Sequence, residues 1–408
     1  MTPRLENVAA SAFKDYAPIT VHLDGEISVR KRATPYKGAM FAAHPGDIVF
    51  SKIDARSGAI GVVPSDIGPA VVTPEFPVFM PDLSRLDATF MRRILRTGEL
   101  LRALARKASG TSGRKRVTPN GFLSIAIPLP PIEEQLALVA AYDAALNEAA
   151  GLETSAAKTE ADGLAAFEAA LGLTPPTPLP DVPRFIAKFS DMDRWSHEAV
   201  LRQSIAPQAA ATTYPMLPVG TFGKVSYGIQ KCPDNRPDLH PRPYLRVANV
   251  QRWRLDLYVI KQINVPDSEM HRYRLEDGDV LLCEGNSPDL VGRGAIWRSE
   301  IADCVHQNHV LRIRLDPNVA SPEFVLSVIN SLYGQAYFRS KSKRTTNLAS
   351  INSKEVASFP VPLPSLPEQL TLFAALSATR QKAAALRQQA AAKRADAWTA
   401  FEAAIYGA

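Results

Sequence analysis

Residues 128–136 read PLPPIEEQL and residues 362–370 read PLPSLPEQL, and the same spacing of 234 positions separates AFEAAL at 166–171 from AFEAAI at 400–405. An equal offset at both ends means that Pro128 to Leu171 match Pro362 to Ile405 without insertion or deletion. A repeat of this kind decides the architecture before any single element is assigned. Upstream the copies are looser. GDIVFSK from Gly46 parallels GDVLLCE from Gly278 at an offset of 232, and GAIG from Gly58 parallels GAIW from Gly294 at 236. Each half is a variable region followed by one of fixed length.

The fixed-length segments predict helices. Apolar residues fall at Ile132, Leu136, Val139, Leu146, Leu152, Leu164, Phe167 and Leu171, mostly at three- or four-residue steps or their multiples, amid alanine and without proline. The second copy gives Leu366, Leu370, Phe373, Leu376, Leu386, Trp398, Phe401 and Ile405. About 40 residues at 1.5 Å each make a rod of roughly 60 Å. A rod with one narrow apolar stripe needs a partner, so the two are predicted to pair as antiparallel, coiled-coil-like helices. The register is imperfect: Leu146 corresponds to Arg380, and Glu153 and Gly163 interrupt the first stripe. A constrained length suits a spacer.

The variable regions carry strand and turn signals. IVF, AIGVV, AVV and PVFM in the first half, and YLRVANV, DVLLCEG, GAIW and HVLRIRL in the second, are short apolar runs bounded by Gly, Pro and Asp. One amphipathic stretch follows in each copy, Ala88–Lys107 and Pro322–Ser340, so the fold class is mixed α/β. The run TPPTPLPDVP from Thr174 to Pro183 cannot sustain a helix and reads as a stiff link. The predicted order is a globular domain over 1–127, a spacer helix over 128–173, a proline-rich linker over 174–189, a second globular domain over 190–361 and a second spacer helix over 362–408.

A length of 408 residues exceeds one ordinary core. With 46% hydrophobic and 22% charged residues, and no run approaching the roughly 20 apolar residues of a membrane span, a soluble protein is expected. The start, MTPRLENVAASAF, has no signal-peptide pattern and three cysteines cannot pair off, which points to a reducing cytoplasm. Lys plus Arg exceed Asp plus Glu by 47 to 41, an excess that permits nucleic-acid binding without demanding it.

Catalytic patterns are missing. Gly220-Thr221-Phe222-Gly223-Lys224-Val225 has neither the spacing of a phosphate loop nor a hydroxyl after the lysine. His197-Glu198 lacks a second histidine at 201, and Cys232, Cys283 and Cys304 share no metal-ligand spacing. Asp279 and Glu284 resemble part of a nuclease core, but Asn286 stands where a lysine is wanted, and the first copy has Lys52 near the position of the glutamate. His306-Gln307-Asn308-His309 offers an acid–base pair that Thr73-Pro74-Glu75-Phe76, taken as its counterpart, does not repeat.

Nucleic-acid binding fits better. Arg102, Arg106, Lys107, Arg114, Lys115 and Arg116 crowd between amphipathic stretch and rod in copy one, and Arg339, Lys341, Lys343 and Arg344 hold the same place in copy two. Lys52 and Arg56 add to the first group. Cations among Gly, Ser and Thr suit phosphate oxygens, since short side chains let backbone N–H groups approach. Base reading needs paired donors and acceptors, which copy two offers at Gln230, Lys231, Asn249, Asn286, Arg293, Gln307, Asn308, Thr345, Thr346 and Asn347.

The repeated pattern of variable block, PLPPIEEQ-type helix start and long helix resembles the specificity subunit of type I restriction-modification enzymes. RYRLEDGDVLLCEGNSPDLVGRGAIW from Arg272, HQNHVLRIR from His306 and TTNLASIN from Thr345 are particularly similar to its target recognition domains, as is SGTSGRKRVTP from Ser109. The resemblance implies a non-catalytic DNA-binding chain whose two recognition domains read an asymmetric, split double-stranded sequence in the major groove. It implies that the paired helices set the gap and dock two modification (methyltransferase) subunits, with restriction subunits joining them. The chain itself is then expected to bind no cofactor and no metal; S-adenosylmethionine, ATP and Mg²⁺ belong to the partners. One departure stands out: only 45 residues precede the first GlyAsp motif, against roughly 90 between the linker and Gly278. Either the first domain is compact and of a different subtype, or the reading frame begins late. A DNA-recognition scaffold serving a non-restricting methyltransferase or another defence effector is the alternative.

Overall fold

The computed structural model describes residues 1–31, 38–110, 115–173, 184, 186–189, 200–201, 212, 214–287, 290–344 and 349–407. The chain forms two compact units, Met1–Thr154 with Leu386–Ala408, and Ser155–Ala385. The division falls inside both long helices; the proline-rich stretch expected as a linker lies mostly outside the described residues.

In the first unit the strands are β1 (Thr2–Pro3), β2 (Ala17–Val21), β3 (Ile27–Val29), β4 (Phe41–Ala43), β5 (Ile48–Phe50), β6 (Ile60–Val62), β7 (Ala70–Val72) and β8 (Val78–Met80). They make two four-stranded sheets, β1-β8-β5-β6 and β3-β2-β7-β4, the second with one parallel pair. The second unit holds β9 (Met216–Pro218), β10 (Gly223–Ser226), β11 (Pro241–Leu245), β12 (Val250–Gln251), β13 (Arg254–Leu255), β14 (Lys261–Asn264), β15 (Val280–Cys283), β16 (Gly285–Asn286), β17 (Gly294–Ile296), β18 (Val305–His306), β19 (Val310–Leu315), β20 (Lys343–Arg344), β21 (Ala349–Ser350) and β22 (Pro360–Pro362). Its main sheet, β10-β19-β15-β17, buries every residue of β15, as its unbroken apolar run requires.

The repeat is visible in the register, with one revision. β5 pairs β6 as Ile48↔Val62 and Phe50↔Ile60, and β15 pairs β17 as Val280↔Ile296 and Leu282↔Gly294. Ile60, not Gly58, is therefore the counterpart of Gly294, so the GAIG and GAIW strings are offset by two residues from true equivalence. A shift of two keeps every side chain on its own face of the sheet, which is why the strings match in pattern.

Each amphipathic stretch is two helices rather than one: α1 (Ala88–Ile94) and α2 (Gly98–Lys107), followed by α3 (Pro119–Leu123). The break is built by a buried hydroxyl. Thr97 takes extended backbone and its Oγ1 donates to Ile94 O (2.8 Å). Ahead of them, Asp87 caps α1 by accepting from the N–H groups of Thr89 and Phe90. Then comes α4 (Ile132–Ala170), a continuous helix of 39 residues. In the second unit, after α5 (Asp267–Tyr273), Ser331 does for α6 (Pro322–Asn330) and α7 (Leu332–Lys341) what Thr97 does above, its Oγ donating to Val328 O (2.8 Å). A short α8 (Ser353–Ala357) precedes α9 (Leu366–Tyr406), of 41 residues.

The long helices pair antiparallel within each unit. In the first, Tyr142 packs on Trp398 and Phe401, and Glu148 and Glu153 bond Lys393 and Arg394. In the second, Arg380 faces Glu160, while Leu164 and Phe167 share a core with Leu372 and Leu376. The seam is finer than a leucine stripe. Ala149, Ala156, Ala383 and Ala390 are fully buried, and a Cβ on Gly163 would lie 2.2 Å from Thr379 Oγ1. The glycine that interrupts the stripe is thus a point of close approach.

The helix starts hold a second revision. Leu136 and Leu370, assigned to the inward stripe, are 49% and 55% exposed, whereas Gln135 and Gln369 are fully buried. The amide of Gln135 accepts from Asp87 N (2.9 Å) and donates to Arg85 O (2.8 Å) and Pro130 O (2.7 Å). Gln369 repeats this with Ser321 N, Val319 O and Pro364 O at 2.9, 3.0 and 2.9 Å. A buried amide satisfying three backbone groups outranks hydrophobicity at that position.

The helix ends cross between the repeats. Phe401 packs on Phe90 and Phe167 on Phe324, both with centroids 5.9 Å apart. Beside them, Glu402 accepts from Gly98 N (2.6 Å) and Glu168 from Tyr333 N (2.9 Å). Each globular region is closed by the end of the other repeat's helix. Replacing Gln369 by Leu should strand three buried backbone groups and destabilise the second unit by about 2–3 kcal/mol. Urea titration reads this, and an unchanged midpoint would show the amide to be dispensable.

Candidate nucleic-acid interface

The polar residues singled out in copy two fall into a group that backbone pairing gathers and a pair that it buries. Ile229 N donates to His306 O (2.8 Å), Asn308 N to Ile229 O (2.9 Å) and Gln307 N to Leu245 O (2.9 Å). This lays exposed Gln230 and Lys231 alongside half-buried Gln307 and Asn308. The approach demands Gly228, since a Cβ there would meet His306 O at 1.9 Å. From His309 the network continues: Glu284 N donates to His309 O (3.0 Å) and Ile351 N to Glu284 O (2.9 Å). β16 pairs β21 as Gly285↔Ser350 and Asn286↔Ala349, and β21 pairs β20 as Lys343↔Ser350 and Arg344↔Ala349. One backbone ladder thus joins the positions of Gln230, Lys231, Gln307, Asn308, Asn286, Lys343 and Arg344. Lys343 is exposed. The side chains of Asn286 and Arg344, and Thr345, Thr346 and Asn347 altogether, lie outside the described residues.

The structure buries Asn249 and Arg293. Asn249 is 3% exposed, and its amide accepts from Arg246 N and donates to Asp256 O and Val259 O, closing the β12–β13 loop. Arg293, 8% exposed, directs Nη2 at Val247 O (3.4 Å). The Asn249 amide is spent on the fold. The string YLRVANV predicted one strand, but after Leu245 the chain turns through a 3-10 helix at Val247–Asn249, and this amide holds the turn.

In copy one, Lys52 is half-buried, while Arg56, Lys115 and Arg116 are exposed; Arg114 lies outside the described residues. Lys52 N donates to Glu75 O (3.0 Å), Val117 N to Lys52 O (2.7 Å), and Ser109 and Arg116 exchange both backbone bonds. Lys52, Glu75 and Arg116 therefore converge, Arg116 Nη2 lying 3.2 Å from Glu75 Oε2. Two cations of the basic group are engaged nearby, since Arg102 and Arg106 both pair with Glu99 (3.0 Å each).

His306 and His309 form no acid–base couple. His306 is fully buried with Nδ1 against Val310 O (2.7 Å), and burial pushes its pKa down to about 4. His309 is exposed and bonds Glu284 (2.6 Å). Arg314 is held in its charged form by Asp279, at 2.8 Å, and Cys304 is pushed up to about 12 by burial, which leaves it an inert thiol. Among the described residues no group of three or more His, Cys, Asp or Glu is placed to hold a metal ion.

Comparison with known proteins points one way. A putative type I restriction enzyme MjaX specificity subunit from Methanocaldococcus jannaschii is 26% identical over 136 residues, 33% of this chain and 32% of that one. The EcoKI specificity subunit of Escherichia coli K12 is 23% identical over 265 residues, 62% of this chain and 50% of that one. Both of these relatives are type I restriction specificity subunits. It spans half or less of the length of these relatives. A solved chain described for complex assembly and conformational transition of a type I R-M system, 18% identical, superposes with a TM-score of 0.58 over 98% of this chain and 92% of its own, which establishes the shared fold. No protein-family model matches the chain.

Sequence reasoning missed Glu284, His309 and Glu75 as members of the site. The signal was available. The hydrogen bonds place His309 opposite Glu75 at the fixed offset of 234, not opposite Phe76.

Because the folded pKa of His306 lies below its unfolded value near 6.5, its contribution to stability is complete above that pH and is lost as pH falls toward 4. The loss should be on the order of 3 kcal/mol. Thermal unfolding of the wild type should weaken across that window, and His306→Gln should flatten the slope; parallel curves would refute the assignment. Asn249→Ala should destabilise by about 1–3 kcal/mol and leave base preference intact, measured by unfolding and by competition binding.

Proposed function

We propose that this chain is the DNA-reading subunit of a type I restriction-modification complex, taking one half of a split, asymmetric sequence with each unit. The carrying observation is the repeated backbone frame: the Ser109–Arg116 bridge beside Lys115, and the β20–β21 pair with Lys343 and Arg344, are tied to Lys52 and Glu284 by the same backbone hydrogen bonds. Cations on such hairpins supply salt-dependent affinity for phosphates, and the flanking Gln230, Lys231, Gln307 and Asn308 reach base edges. The unbroken lengths of α4 and α9, 39 and 41 residues, fix the gap between half-sites.

Methylation is supplied by partner subunits. Exposed Leu136 and Leu370 at equivalent helix starts support docking of two methyltransferase subunits. In the first unit a recess of about 590 Å³ lined by Leu138, Tyr142, Ala145, Ala397 and Phe401 supports it further. Restriction subunits, ATP, Mg²⁺ and S-adenosylmethionine enter through those partners. No helix among the described residues is long and apolar enough to cross a membrane; the cytoplasm is the proposed compartment.

A genome-wide map of methylated adenines with and without the gene tests the reading. A two-part motif with a fixed gap should lose methylation on deletion, and no change would count against it. Lys343→Ala should weaken all duplexes alike and lower the salt slope by about 0.9. Asn308→Ala should instead relax one target position, and the opposite pattern in competition binding would overturn the assignment.

A further inference from the structure

Superposing the two frames by their hydrogen bonds equates Lys52 with Glu284, Glu75 with His309 and Arg116 with Ser350. The equivalence lies in the backbone alone. Lys52 N to Glu75 O has the counterpart Glu284 N to His309 O, and Val117 N to Lys52 O the counterpart Ile351 N to Glu284 O. The Ser109–Arg116 bridge has the counterpart Lys343–Ser350. Four of these positions are shifted by 234, and Lys52 by 232. None of these bonds involves a side chain, so the frame leaves all three positions free to vary.

The side chains on the frame are opposite in chemistry. Copy one carries two cations and one carboxylate: Glu75 is engaged by Arg116, and Lys52 forms no ion pair among the described residues. Copy two carries a carboxylate, an imidazole and a hydroxyl. There the Glu284 side chain, 21% exposed, bonds His309 Nδ1 through Oε2, and Oε1 accepts no hydrogen bond among the described residues. One frame offers surplus donors, the other a surplus acceptor.

We infer that the pairs Lys52–Arg116 and Glu284–His309 are the specificity-determining contacts that make the two half-sites different: the first unit takes a guanine, and the second a base whose major-groove edge donates an amino group. This rests on the DNA-reading function proposed above. Lysine and arginine match the O6 and N7 acceptors of guanine. A carboxylate accepts from cytosine N4 or adenine N6 and repels the acceptors of guanine. His309, bonded through Nδ1 to Oε2, orients the Glu284 carboxylate and leaves Oε1 to accept from the base.

The test is selection of bound sequences by the full-length chain from a randomised duplex library, read by sequencing. The wild type should yield two half-sites, one with guanine and one with cytosine or adenine at the position in question. Exchanging Glu284→Lys together with His309→Glu should convert that cytosine or adenine to guanine, leaving the other half-site and the gap unchanged. Should the double exchange not fold, Glu284→Ala carries the test, with discrimination at that one position falling about tenfold. Unchanged preference in variants that still read a split sequence would overturn this inference alone. A wild-type chain that selects no split sequence would instead overturn the proposed function, and this inference with it.

Discussion

The end of each long helix packs on the globular region that belongs to the other repeat, and the rest of the structure depends on that crossing. Phe401 and Glu402 close the region of Phe90 and Gly98, and Phe167 and Glu168 close that of Phe324 and Tyr333. Neither core is complete within one continuous stretch of chain: Val139, Phe401 and Ile405 belong to the cluster around Phe50 and Phe79, and Phe167 and Leu171 to the one around Phe324 and Phe359. A helix so committed at both ends cannot gain or lose residues without breaking one set of contacts. Tyr142 against Trp398 and Arg380 against Glu160 each require one register of the antiparallel pair. Fixed length in the sequence is therefore a packing requirement before it is a functional one.

The helix starts work by a different rule. There the constraint is polar: Gln135 and Gln369 each satisfy three backbone groups that burial would otherwise leave unpaired, and in each unit the group served includes the residue that caps the following helix, Asp87 or Ser321. The neighbouring leucines are turned out to solvent as a result. Core aromatics at one end and a buried amide at the other thus tie each rod to sheet-bearing regions whose own sequences have diverged.

This explains what could be read in the sequence and what could not. The repeat, the two rods and the strands at β5, β7, β8, β15 and β19 were legible because each rests on a local period or on an offset that insertions have not touched. The inward face of the helix start was misassigned because periodicity ranks leucine above glutamine, and only the three-dimensional fate of the backbone groups of Arg85, Asp87 and Pro130 reverses that ranking. The GAIG match was misleading because strands tolerate a two-residue shift without exchanging faces. At the candidate interface, the basic hairpins were legible as charge clusters. Asn249 and Arg293 were not separable from true surface residues, since an amide or guanidinium that holds a loop and one that meets solvent have the same letters.

The frame beneath those hairpins carries the last step. Its bonds run from backbone to backbone, so replacing Lys52 by the glutamate found at 284 removes none of them, and replacing Glu75 by the histidine found at 309 loses only the ion pair with Arg116. Tolerance and rigidity usually oppose each other at a binding surface, because side chains that recognise also support. Here support is delegated to the peptide groups and, below them, to Phe122 against Phe50 and Phe79 in one unit and Phe338 against Phe359 in the other. A surface arranged this way can change its side-chain chemistry while the frame beneath it stays in place, and two copies in one chain can diverge in chemistry while keeping the same backbone hydrogen bonds.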